Sequence, residues 1–145
     1  MSRRTSPSVQ LAVALIIAHA TVVAAHGAAH QILGVGVSPS QTLFIVLFIV
    51  TAPILAGILF WKGSDIPASI ILTISMTGAF LFGVYYHFVK SSSDHVSHVS
   101  TMSPKEWANI FQATAILLAL TEGMGICLGI WILKRNRQAG IGDAK

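Results

Sequence analysis

The chain has a single cysteine, Cys127, among 145 residues. One thiol cannot form an intrachain disulfide, and C-x-x-C-H haem attachment is excluded with it. Charge is equally scarce. Only 10% of the residues are charged, against about 25% in soluble domains, and only five are acidic. No glycine-rich phosphate loop, nucleophile motif or carboxylate pair is present. The zinc-protease pattern H-E-x-x-H is missing too, because Gly27, Ala28 and Ala29 separate His26 from His30. No stretch of 20 residues alternates with period two, which argues against a membrane β-barrel. These gaps remove the common hydrolase and nucleotide-dependent classes, and an enzyme acting alone is not expected.

What the sequence has is apolar length. It is 54% hydrophobic with a mean hydropathy of +0.74. Four runs, roughly 9–30, 42–61, 66–89 and 107–133, each reach the 20 or so residues that a helix rising 1.5 Å per residue needs to cross a bilayer. Between them stand helix-start signals. Ser38-Pro39-Ser40-Gln41 and Ser103-Pro104-Lys105-Glu106 have the form of capping boxes with proline at the first helical position. Ser6-Pro7 opens the first run in the same way. Gly63 can close the second in a left-handed cap. Pro53 lies inside that run, cannot donate to the Ile49 carbonyl, and predicts a kink. The expected fold is an all-α bundle of four transmembrane helices in a single domain, with short loops and a basic tail over 134–145.

Topology follows from the cations. With four spans, both termini and the second loop share a side. That side carries Arg3, Arg4, Lys62, Lys134, Arg135, Arg137 and Lys145, whereas the opposite side has Lys90 and Lys105. The positive-inside rule makes the first side cytoplasmic, in what is expected to be a cell (inner) membrane. Trp107 and Trp131 then bracket the fourth span, as interfacial aromatics do. The run from Arg3 to Ala25 also resembles a signal peptide with a small-residue cleavage site at Val23-Ala24-Ala25. An uncleaved first span is the preferred reading. The net charge of +4 gathers at helix ends rather than on an aromatic-laced patch, so no nucleic-acid partner is expected.

Applying this topology to the six histidines brings five to the outer end: His26, His30, His87, His95 and His98. His26 and His30 are four residues apart and share a helix face. Neutral imidazole is the commonest metal ligand, so these five form a candidate Cu or Zn site, with Asp94 as a further candidate ligand. Haem b, held by His26 and His87, is a lower-ranked alternative. The competing reading treats the histidines as interfacial side chains and the loop as merely solvated. His19 and Glu122 lie at matched depth inside the first and fourth spans. A buried ionisable group in lipid needs a partner, which makes them candidates for each other, through a structural hydrogen bond or a proton relay. Gly125 and Gly129 form G-x-x-x-G, which permits close helix approach. The functional expectation is a small membrane protein with a His-rich outer face, an accessory subunit or binding protein of a larger membrane complex. A metal- or haem-binding redox component is the alternative.

Overall fold

A computed structural model describes residues 6–142, with side chains through Gln138. Arg3, Arg4 and Lys145, and with them part of the expected charge asymmetry, lie outside the described residues. Among these residues there is no strand. Four helices are long and apolar enough to cross a membrane: α1 (Pro7–Leu33), α2 (Pro39–Trp61), α3 (Asp65–Val89) and α5, whose apolar stretch covers Lys105–Gln138. The last continues as helix to Gly142, so residues 134–142 extend it. A single turn, α4 (Val96–Val99), interrupts the loop between α3 and α5.

The starts and stops follow local chemistry. Ser6 accepts a hydrogen bond from the Val9 amide. Ser38 and Gln41 close a reciprocal capping box, which satisfies two of the amides that a helix start leaves without partners. At α5 the expected box is not formed. The Ser103–Pro104 peptide is cis, the helix begins at Lys105, and the Pro104 carbonyl accepts from the Trp107 and Ala108 amides. Proline therefore sits before the first helical residue rather than in it. Gly34 and Gly63 take left-handed conformations, where a Cβ would meet the backbone.

Two segments are wound as π-helix, Ile45–Thr51 in α2 and Tyr85–Val89 in α3. The first runs up to Pro53. Proline offers no donor to Ile49, and His19 Nε2 donates to that carbonyl instead at 3.4 Å. A neighbouring helix thus serves a carbonyl of the proline-bearing segment, as membrane bundles require.

The packing has α5 at its centre. Both α1 and α3 pack along α5, α2 packs mainly on α3, and α1 and α3 have little direct contact with each other. Small residues permit the closest approach. A Cβ at Gly129 would run into the Thr73 side chain and the backbone of Ser69 and Thr73, and one at Gly125 would meet Met76. The G-x-x-x-G therefore serves packing within the chain. One apolar cluster, including Leu15, Phe60, Leu72 and Ile132, fills the end near the α2–α3 turn. A second, including Leu33, Val35, Val99 and Phe111, closes the opposite end. Leu11, Ile17, Leu81 and Leu120 face outward and exposed, as lipid-facing residues of a bundle do. The buried histidines lie between the two clusters or against the second.

Candidate metal centre

Three imidazoles converge at the second cluster. His26 and His30 come from consecutive turns of α1, and His87 comes from the π-wound end of α3. One ligating nitrogen from each lies within 4.8 Å of the others. Phe111 of α5, fully buried, is their common platform. Its ring centroid is 4.6 Å from that of His26, 4.9 Å from that of His30 and 5.4 Å from that of His87.

Hydrogen bonds aim each ring. His87 donates from Nδ1 to the Asp94 backbone carbonyl at 3.1 Å, which leaves Nε2 as a lone pair. His30 donates from Nδ1 to the Val35 carbonyl at 3.0 Å. That carbonyl is turned back onto the helix by the left-handed Gly34, whose turn also lets the Val35 amide bond to the His30 carbonyl. His26 Nδ1 meets the Thr114 hydroxyl at 2.9 Å, and its Nε2 lies 3.2 Å from His87 Nε2. With His87 Nε2 bare, a proton between the two rings belongs to His26, and Thr114 then donates to His26 Nδ1. The same hydroxyl has the Ile110 and Phe111 carbonyls within 2.7 and 3.0 Å. It can turn to them and accept from His26 Nδ1, which frees His26 Nε2 as a ligand.

Asp94 completes the group. Its Oδ1 lies 3.2 Å from His87 Nδ1 and 3.3 Å from His30 Nε2. Both are ion-pair contacts without hydrogen-bond geometry, and the oxygen is buried without a hydrogen-bond partner. Burial alone would raise the Asp94 carboxyl. Contact with His87, and the charges of His87, His30 and His26, outweigh burial and hold it below the ordinary carboxylate value. A bare His30 Nε2 facing this carboxylate would be repulsive. A proton on His30, or a cation beside it, removes the repulsion.

The geometry discriminates between candidate cofactors. In a tetrahedral site with metal–nitrogen bonds of 2.0–2.1 Å, neighbouring nitrogens stand about 3.3 Å apart. The Nε2 atoms of His26 and His87 are 3.2 Å apart, close to that edge. Two axial imidazoles on opposite sides of one iron need about 4 Å, twice such a bond length, with a porphyrin between them. The two rings touch at 4.8 Å between centroids and leave no room for it. Haem held between His26 and His87 does not fit.

The other expected residues fall elsewhere. His95 caps α4, its Nδ1 accepting from the Ser97 amide, and His98 is exposed. The turn of α4 buries Val99 instead, so neither histidine reaches the cluster. His19 is buried at mid-depth, but its Nδ1 meets the Thr121 hydroxyl at 3.2 Å rather than Glu122. Adjacent residues on a helix point about 100° apart. Where Thr121 faces α1, Glu122 faces Gly83 of α3. Sequence reasoning missed Phe111, Thr114 and the Gly34 turn. Only Gly34, just beyond an apolar run, had a readable signal, that of a helix C-cap.

Comparison of the chain with family models, with curated proteins and with solved structures returns no match.

Proposed function

We propose that this is a metal-binding membrane protein whose His26, His30 and His87 hold one divalent ion, Zn(II) or Cu(II), at one end of the helical bundle. The observation that carries the reading is the set of three buried or near-buried imidazoles with ligating atoms within 4.8 Å. Imidazole suits both ions. The Asp94 backbone carbonyl aims His87 through its second nitrogen, and the Asp94 carboxylate beside that nitrogen raises the ligand's basicity. The basic asymmetry of the sequence supports an outer position for the centre, with both termini cytoplasmic. A role as accessory subunit rests on size and composition alone, whereas the metal reading rests on the placement of named atoms and takes precedence.

The test is metal analysis of protein purified in detergent and equilibrated with Zn(II) or Cu(II). One ion per chain is expected in the wild type and none at the same free-metal concentration in His26→Ala/His30→Ala. His98→Ala should keep full stoichiometry. Equal metal content in the double variant and the wild type would remove the reading.

A further inference from the structure

The centre is not closed. His26, His30 and His87 all front a cavity of about 510 Å³ that runs into the bundle, with Glu122 on its wall. Glu122 is 2% exposed, and its Oε2 has no hydrogen-bond partner. Buried polar atoms are almost always satisfied, so this oxygen points to a group the cavity receives. A Cβ placed on Gly83 would lie 3.8 Å from Glu122 Oε2 and 3.9 Å from His87 Cδ2. Carboxyl and imidazole therefore flank one gap, and the residue between them has no side chain to fill it. Gly27, also on the cavity wall, has nothing within 4 Å of where its Cβ would be.

The cavity opens sideways. Gly27, Gly34 and Thr42 are lining residues that stand exposed. The contacts of α1 with α2 are concentrated at the Ala52–Trp61 end and thin out toward Pro39. Entry is thus between the end of α1 and the start of α2. The walls there and deeper are largely apolar, with Val23, Ile49 and Phe82 among them. Such walls desolvate an ion without repaying it. A cation would also be repelled by the bound metal.

We infer that the cavity binds a small neutral molecule that ligates the ion with a lone pair at one end and donates an N–H or O–H hydrogen bond to Glu122 at the other. The inference rests on the metal reading. Zinc held by three protein ligands keeps a position open for an exogenous molecule, whereas structural sites take four. Here all three imidazoles line the cavity, and Glu122 supplies the second contact that selects a protic ligand over an aprotic one.

Imidazole and N-methylimidazole separate these contributions. Both offer the same ligating nitrogen, and only imidazole carries a donor on the far side. The experiment titrates each into Co(II)-loaded protein in detergent at pH 8 and follows the visible absorption of the metal, with metal content measured in parallel. Imidazole is expected to bind roughly five- to tenfold more tightly, the worth of one hydrogen bond. Glu122→Leu keeps the bulk and removes the acceptor, so the preference should vanish there. Glu122→Gln keeps an acceptor and should retain it. Gly83→Leu should block both molecules while one ion per chain stays bound. If the ion binds and neither molecule alters the spectrum, or the preference is the same in wild type and Glu122→Leu, the pocket assignment is overturned and the metal reading stands. If no ion binds, both fail together.

Discussion

Asp94→Asn tests the centre with the least disturbance. The substitution is nearly isosteric and leaves the backbone carbonyl of residue 94 in place. The 3.1 Å bond from His87 Nδ1 to that carbonyl therefore survives, and the ring keeps its aim. What disappears is a carboxylate charge 3.2 Å from His87 and 3.3 Å from His30, at a residue only 6% exposed, where water screens little. Loss of a carboxylate that polarises a ligating histidine lowers metal affinity by about 10- to 100-fold, or about 1.4–2.8 kcal/mol. His87→Ala removes a ligand outright and should cost considerably more. Chelator competition with Zn(II) at pH 7.5 measures both. Asn binding as tightly as Asp, or as weakly as His87→Ala, would refute the polarising role. The pH dependence has two parts. Affinity should fall as the pH is lowered, because the ligands must be neutral. Asp94 stays ionised at neutral pH, since its carboxyl is held below the ordinary value. A group with a lowered folded-state pKa contributes stability that is fully present above its unfolded value. The stability difference between metal-free wild type and Asp94→Asn should accordingly persist down to about pH 4 and disappear below it.

Three further outcomes are expected. Gly129→Ala should destabilise the bundle by about 1–3 kcal/mol and more than Gly125→Ala, because the new methyl meets backbone at Gly129 and only the flexible Met76 side chain at Gly125; melting in detergent ranks the two, and the reverse order would contradict the packing. His19→Leu should cost about 1–3 kcal/mol by leaving the Ile49 carbonyl without its donor, and the loss should shrink in a Pro53→Ala background, where a backbone N–H is restored; identical losses in both backgrounds would show no coupling. Reporter fusions at Lys62 and Ser92 should report the cytoplasmic and outer sides respectively, and agreement between them would break the four-span topology.

Length and depth were legible in the sequence; direction around each helix was not. Counting residues at 1.5 Å each places His26, His30 and His87 at one end of the bundle, and the structure brings those three together. The same counting matches His19 with Glu122, yet the side chains diverge because one residue along α5 changes the direction by about 100°. His87 sits in a π-wound turn, which takes up an extra residue and shifts the phase of all that follows; no local pattern in Tyr85–Val89 announces it. The loop histidines were indistinguishable from Asp94 by depth alone. Which residue of that loop enters the bundle depends on how α4 seats Val99, a tertiary matter. Phe111 and Thr114 are ordinary residues for a membrane helix, and only the arrival of three rings against them makes them part of a site.

The diagonal placement of α1 and α3 bears on the order in which the protein matures. Two of the proposed ligands, four residues apart, leave the ribosome together, and the third comes some sixty residues later. Asp94, Phe111 and Thr114, which aim or support the rings, follow after it. Since α1 and α3 have little direct contact, α5 must be inserted before His87 is held opposite His26. Ion capture on this scheme is a late event in biogenesis, and an occupied centre would mark a chain whose four helices have all been assembled.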